Sequence, residues 1–560
     1  LILMDRRSLL TSFTRLGQTG NLEKNTALPI NGGLSPYTGT WNYATAAHLL
    51  RRATFGPTHE MIKQAVSDGL NLTMTKLFTK ISEPAPPVIY TDTPVDPHTS
   101  KGETWVDKPF TPGVQGLQQL WDNSLRAWIL ENMFNEGVSI TEKMMLFWHN
   151  HFVISEIFDP RYSYNYLKTI RKNVIGDFRQ MAKDITIDAG MLVYLNGNVN
   201  NKRAPNENYG RELMELFTLG KGALAGPGDY TTYTEQDVMA MAKALTGWTI
   251  RVTRNADTSA TYQVQYVDNL HDVSDKQLSA RFSNKVIKNA GIKEYENVID
   301  ILFERRETAT FICRKLYRYF VYYKVDASIE NDIVNGLADI LIANNFDISS
   351  VLKSLLSSDH FYSIEALGCM IRPPYEFIFN TLKGMHFKTS ADLETRYRLF
   401  LSVFNSTTGM QQVYFDIPSV AGWTPYYQEP GFHEIWINSV TYPLRVAFTN
   451  QGVNKQIRPR GVAGTYGLDL VEYISGFSDP GNVTKLLAEI VAHLLPQPIY
   501  QNQLDYLKTK LLANTTEAQW TASWNNYKAN PNNAAARTVI DTRLKPLFLS
   551  LLAMPEYYLS

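Results

Sequence analysis

The stretch FWHNHF, Phe147 to Phe152, sets two histidines two residues apart inside KMMLFWHNHFV, a run whose apolar residues otherwise describe a buried helix. Imidazole titrates nearest neutrality and is the commonest metal ligand, so His149 and His151 are the first candidates for chemistry. On a continuous helix they stand about 200° apart, because each residue turns about 100°. Both reach one ligand only if the helix ends or tightens at Asn150, a residue type that competes for helix hydrogen bonds. A second segment, APNENYGRELMELFTLG, supplies carboxylates. Asn208, Glu212 and Glu215 fall at i, i+4 and i+7 beside an apolar stripe of Tyr209, Leu213, Leu216 and Phe217. Two glutamates three residues apart project into the same space, which suits a divalent metal or an acid/base pair. Arg211 is near enough in sequence to hold one of them bidentately. The expectation is a site that joins His149, His151, Asn208, Arg211, Glu212 and Glu215. Within it, His149, His151, Glu212 and Glu215 would ligate Fe, Mn or Zn. The competing reading is two hydrogen-bonded core histidines and a solvated acidic edge.

Three weaker signals surround these. His271 and Asp272 in NLHDVSDK follow a polar turn and offer a ligand or a base. His433, with Trp423, Tyr426, Tyr427 and Trp436, could line an opening. Glu235 and Asp237 in TEQDV read as a helix start, with Thr234 as N-cap and Asp237 at the third position of a capping box. The sequence has no Walker loop, no G-x-G-x-x-G after a strand, no HExxH and no G-x-S-x-G. Nucleotide-driven, zincin-type and α/β-hydrolase chemistry are therefore disfavoured.

The elements that must position these groups are overwhelmingly helical in period. Helices are expected at NYATAAHLLRRATFG, THEMIKQAVSDGLNLTMTKLF, VQGLQQLWDNSLRAWILENMFN, ITEKMMLFWHNHFV, IGDFRQMAKDITID, NENYGRELMELFTLG and TEQDVMAMAKALTGW. The last two close on Gly220 and Gly247, good C-cap residues. Alternation in WTIRVTRNADTSATYQVQYVD predicts a β-hairpin over about 248–268. Helices resume from about 294. Residues 82–114 hold seven prolines and no periodicity, and read as a long excursion over the surface. Residues 409–434 are rich in Gly, Pro and aromatics. The fold class is mainly α: an irregular multi-helix assembly with one small hairpin insertion and long aromatic and Pro-rich loops. Its expected organisation is an N-terminal arm at 1–43, a core at 44–450, and a helical region at 451–560 packed on that core.

The composition of the 560 residues sets the outer bounds. Fifty-four basic residues balance 54 acidic ones, so no overall field favours nucleic acid or an anionic membrane, and nucleic acid is not expected as a partner. No apolar run approaches the roughly 18 residues of a transmembrane helix. Cys313 and Cys369 permit one bridge at most. The start, LILMDRRSLLTSF, has the Arg-Arg pair of a twin-arginine signal, but Thr14, Arg15, Gln18 and Thr19 follow before any sustained apolar region. Cytoplasmic and exported lives both stay open. The 31 Tyr, 26 Phe and 10 Trp hint at a large contact surface, since such rings serve sugars and protein interfaces as well as cores.

The blocks AAHLLRRATFGPT, MLFWHNHF, MLVYLNGNVNNKRAPNENYGRELMELFTLG, YTEQDVMAMAKALTGWTI, TATFICRKLYRYFV, PPYEFIFNTL and FDIPSVAGWTPYYQEPGFHEIWINSVT stand in that order from about residue 44 to 450 or beyond. In this series the chain resembles the bacterial domain of unknown function 1800 family. The resemblance implies a large helical protein whose relatives often neighbour a phosphatase- or sulfatase-like protein, a candidate partner, and some relatives carry export signals. It implies no reaction. The polar positions it carries over are His149, Asn150, His151, Asn206, Glu207, Asn208, Arg211, Glu212 and Glu215. The sequence departs from the family pattern at Asn196, at Arg305 and around His271. Two functions follow as expectations. One is an enzyme, metal-dependent or acting on a polysaccharide through acid/base groups and aromatic platforms. The other is a non-catalytic scaffold, marked by a broad apolar patch built from 82–114 and 409–434.

Overall fold

Every residue of the helix Thr141–His151 is buried, and the other elements are described most simply from it. In the computed structural model of the chain, the described residues are 28–30, 32–155, 159–226 and 229–560. The Arg6-Arg7 start and most of the N-terminal arm lie outside them. In chain order the helices are α1 (Tyr43–Ala53), α2 (His59–Leu77), α3 (Leu117–Asn135), α4 (Thr141–His151), α5 (Pro160–Lys172), α6 (Phe178–Thr186), α7 (Ala189–Tyr194) and α8 (Glu207–Glu212). After α8 the chain widens into a π-helical turn, Leu213–Thr218, and then come α9 (Glu235–Ala244), α10 (Glu294–Phe303) and α11 (Arg306–Phe320). Further helices continue to Ala534–Leu551. The architecture is mainly α, and the described strands form three two-stranded antiparallel sheets.

A helix apolar on all sides belongs in the middle of a large protein, and α4 keeps its charges there by pairing them. Glu142 contacts Arg171 of α5 at 2.6 Å, and Lys143 pairs with Glu376. Trp148 donates its indole N–H to Val174 O and stacks on Phe178. One contiguous hydrophobic core takes in residues from Leu28 to Tyr558, with Ile490, Leu507, Trp520 and Leu547 of the C-terminal helices among them.

The expected hairpin forms. Strands β1 (Trp248–Arg254) and β2 (Ala260–Tyr266) pair in register from Trp248 opposite Tyr266 to Arg254 opposite Ala260. The capping box also forms: Asp237 accepts from the backbone N–H and the hydroxyl of Thr234, at 2.8 and 2.9 Å.

Segment 82–114 departs from the expected surface excursion. Trp105 is fully buried and stacks on Trp121 of α3, Tyr90 stacks on Tyr397, and Phe110 bridges to Ala260 of the hairpin. The prolines prevent a helix, but the aromatic residues between them still partition into the core. In 409–434, likewise, Tyr414 and Trp423 are buried, and the large apolar side chains exposed in the two segments are Val95 and Tyr427. The broad apolar patch expected of a scaffold is therefore not presented by these segments among the described residues.

Candidate functional site

The helix α4 runs unbroken through His149 to His151, and its last three side chains diverge as a regular helix demands. His149 is fully buried. Its Nε2 accepts the Phe415 N–H at 3.1 Å, so Nδ1 carries the proton and faces the Tyr166 hydroxyl at 3.2 Å. Burial pushes its pKa down to about 3, and the ring lies flat on Tyr414, 4.6 Å between centroids. His149 is a neutral core residue with both nitrogens occupied.

Asn150 accepts the Trp423 N–H on Oδ1 at 2.8 Å. The chain reaches this contact through Gly422 at φ +107°, where an added Cβ would stand 2.5 Å from Asn150 Oδ1 and 2.8 Å from its carbonyl oxygen. Gly422→Ala is expected to cost about 2–5 kcal/mol, from a strained positive φ and a broken buried hydrogen bond. Urea denaturation followed by tryptophan fluorescence checks this, and an unchanged midpoint would refute it.

His151 turns to the opposite side. Its Nε2 donates to Phe217 O at 3.0 Å, which leaves Nδ1 to accept from Lys315 Nζ of α11 at 3.1 Å. Lys315 also donates to Leu216 O at 3.3 Å. Those two carbonyls belong to the π-helical turn, where the wider spacing and the stop at Gly220 leave the last oxygens without intrahelical donors. A cation and an imidazole N–H are the groups that a helix C-terminus favours. Burial, reinforced by Arg318 one turn along α11, lowers the Lys315 pKa to about 7, and burial together with the Lys315 charge holds that of His151 well below its ordinary value.

Lys315 and His151 open onto a cleft whose other polar lining comes from Asn150, Arg318, Tyr319, Tyr426 and Tyr427. The cleft measures about 30 Å³, and no carboxylate among the described residues lines it. Tyr427, 39% exposed, stands at this cleft. The aromatic loop thus does border an opening with the His-Asn-His segment, and it is α11 rather than the Glu helix that completes the constellation.

The expected metal set does not assemble. Glu215 accepts from the Tyr233 hydroxyl at 2.6 Å and pairs with Lys221 at 3.1 Å. Glu212 is partly buried, and burial and the neighbouring Glu215 raise its pKa. Arg211 makes its bidentate contact with Glu235 of α9, at 2.6 and 2.7 Å, and lies 3.7 Å from Glu207. Asn208 is exposed, and Asn206 caps α8 by accepting the Asn208 N–H. No hydrogen bond or ion pair joins either histidine to Glu212 or Glu215, and no group of three or more His, Cys, Asp or Glu among the described residues is placed to hold a metal ion. The physical reason is directional: the π-helical turn offers its Phe217 and Leu216 carbonyls to His151 and Lys315, while its one carboxylate, Glu215, faces Tyr233 and Lys221.

Lys315 and Arg318 escaped notice in the sequence because CRKLYR reads as a solvated basic face. Their i, i+3 spacing among Phe311, Cys313, Leu316, Tyr319 and Phe320 is the signal that could have found them. His271 also acquires unforeseen partners: Glu294 at 3.1 Å, itself contacted by Lys276 at 2.5 Å, all three essentially without exposure. At the two other departures, Asn196 adopts a left-handed conformation at φ 58° and Arg305 pairs with Glu307 at 2.7 Å. Cys313 and Cys369 are free thiols. Among the described residues no helix is long and apolar enough to cross a membrane.

Comparison with curated proteins finds no match, and neither does comparison with solved structures. A family model described as a protein of unknown function, DUF1800, matches residues 48–559 and so takes in the C-terminal helices as well as the blocks around α4, α8 and α11. The chain belongs to the DUF1800 family.

Proposed function

We propose that the chain is an enzyme that works at the His151–Lys315 cleft by acid/base chemistry on an anionic, ring-bearing ligand, with an acidic sugar as the class that fits. The observation that carries this reading is the Lys315 amine. It is hydrogen-bonded to the acceptor nitrogen of a fixed imidazole and borders a cleft with a second cation and no carboxylate. A lysine that serves structure alone is ordinarily paired with an acid or snorkels to water. An amine titrating near neutrality is half unprotonated at working pH and can abstract a proton next to a ligand carboxylate. His151 Nδ1 then shares the ammonium charge, because Nε2–H is anchored on Phe217 O. Arg318 receives the carboxylate or sulfate of the ligand, and Tyr427 offers a face to a sugar ring. The cleft has room for about one such anionic group.

The test is a binding and turnover screen with uronic-acid and sulfated oligosaccharides against their neutral counterparts, in the native chain and in Lys315→Met. The expected result is binding of acidic members alone, at least about 10-fold weaker in the variant, as loss of a charge-assisted contact requires. Equal binding of neutral and acidic sugars, or a variant as good as the native chain, would overturn the reading.

A further inference from the structure

A far larger recess than the His151–Lys315 cleft, about 640 Å³, runs along α5 and has the size of a small-molecule site. A neighbouring recess of about 350 Å³ shares Asn165, Thr169 and Lys172 with it and extends to Asp188 and to Tyr262 of β2. Asn165, Lys168, Thr169 and Lys172 fall at i, i+3, i+4 and i+7, so they stand on one face of α5 and line a continuous groove. The groove is pinned in shape by the fold itself. In the 173–176 segment, Val174 O accepts the Trp148 indole N–H at 2.7 Å, Ile175 O accepts the Ser349 N–H at 3.1 Å, and Gly176 O accepts the Ile348 N–H at 2.9 Å. The 80–83 segment, which also lines the groove, is followed by Ala85, whose carbonyl accepts the Trp128 indole N–H at 2.6 Å.

The two ends of the groove differ in chemistry. The larger end gathers Lys80, Lys168, Arg171 and Lys172 with one carboxylate, Glu83. Arg171 is committed to Glu142 at 2.6 Å, and Lys172 touches Asp184 at 2.8 Å while its side chain stays 63% exposed. Lys80, Lys168 and Glu83 are exposed and form no ion pair among the described residues. These are solvated charges, and none of them needs a counter-ion for stability. What they supply is a field: Lys168 and Lys172 one turn apart, with Lys80 from another segment, concentrate positive potential in a concave site. An ammonium acts as a point charge and suits a tetrahedral phosphate, whereas a planar carboxylate is better served by a guanidinium fork, and the fork present here is held by Glu142.

The smaller end is built for hydroxyl groups. Thr169 donates its hydroxyl to Asp188 at 2.8 Å. Asn165 donates Nδ2 to the Tyr262 hydroxyl, and its Oδ1 has no partner among the described residues. Amide, hydroxyl and carboxylate groups in this setting match the donors and acceptors of a polyol. Asp184 and Asp188 also line this end, and they repel a second anionic group on the same ligand.

We propose that this groove binds a sugar monophosphate, with the phosphate among Lys80, Lys168 and Lys172 and the sugar hydroxyls against Asn165, Thr169 and Asp188. The proposal is independent of the role given to Lys315.

The full chain is to be titrated calorimetrically, at fixed ionic strength, with glucose 6-phosphate, glucose 1-phosphate, ribose 5-phosphate, inorganic phosphate and glucose. The expected result is that at least one sugar phosphate binds with a Kd below about 1 mM, and that inorganic phosphate and glucose each bind at least about 10-fold more weakly. Lys168→Glu should weaken the sugar phosphate by at least about 10-fold, whereas Lys485→Glu and Lys315→Met should change it by less than about 2-fold. Lys168 is exposed, so its substitution leaves the core untouched, and an unchanged thermal unfolding curve checks that. The proposal is overturned if none of the three sugar phosphates binds, if inorganic phosphate or glucose binds as tightly as the best of them, or if Lys168→Glu binds as well as the native chain. A loss in Lys315→Met that Lys168→Glu does not share would likewise overturn it, by placing the ligand in the other cleft.

Discussion

Brief treatment with acetic anhydride at pH 7.5 is expected to acetylate Lys315 about 10–100-fold faster than exposed lysines such as Lys288 and Lys485. The reasoning is one of protonation. An amine with a pKa of about 7 is roughly three-quarters neutral at that pH, whereas an ordinary lysine near 10.4 is about 0.1% neutral. The resulting factor of several hundred is reduced by the lower nucleophilicity of a weaker base and by the partial burial of the side chain. The rate at Lys315 should rise through a midpoint near pH 7, while that of the surface lysines climbs steadily toward pH 10. Peptide mapping after timed quenches reads both, and an acidic sugar bound in the cleft should protect Lys315 selectively. If Lys315 reacts no faster than Lys288, the amine is an ordinary ammonium and the base assigned to the site is lost.

Glu294→Ala should lower stability by about 3–5 kcal/mol. Glu294 has no exposure, forms an ion pair with Lys276 at 2.5 Å, and accepts from His271 Nε2 and from the Ala290 N–H, each at 3.1 Å. Removing it leaves the Lys276 ammonium buried with the Asp272 carbonyl as its remaining acceptor. The consequence spreads, because His271 is also tied to Thr246 O at 2.9 Å, beside the turn that launches the β1–β2 hairpin. Substituting both charged partners, Glu294→Leu with Lys276→Met, should recover most of the loss, since the penalty is that of a broken pair rather than of a missing one. Urea midpoints for the single and double variants check this. A single variant within about 0.5 kcal/mol of the native chain would contradict it.

Legibility in the sequence followed the range of the interaction. The α4 helix, the hairpin and the Thr234–Asp237 box were readable because each depends on residues within about 20 positions of one another. The divergence of His149 and His151 was also foreseeable, from helical geometry alone. Which partners the two rings would meet was not: Phe415 lies 266 residues from His149, and Lys315 lies 164 from His151. The Glu212 and Glu215 expectation failed because an ideal helical wheel was applied to a segment that widens into a π turn, which changes where its carbonyls and carboxylates face. Proline density in 82–114 correctly predicted the lack of a helix, yet said nothing of depth. Trp105 and Tyr90 are buried because ring burial is favourable whatever the backbone does.

The three successive anchors at the end of α4 also set a timetable for synthesis. His151 needs Phe217, 66 residues downstream, whereas His149 and Asn150 need Phe415 and Trp423, which are 266 and 273 residues downstream. At about 5–20 residues per second on the ribosome, the aromatic end of this helix waits roughly 15–55 s for the segment that covers it. During that interval Trp148, Phe152 and Tyr166 have part of their native surroundings, and the two faces meant for the 409–434 loop are open to solvent. A nascent chain truncated between residues 220 and 410 should therefore hold a chaperone far longer than one truncated beyond residue 436.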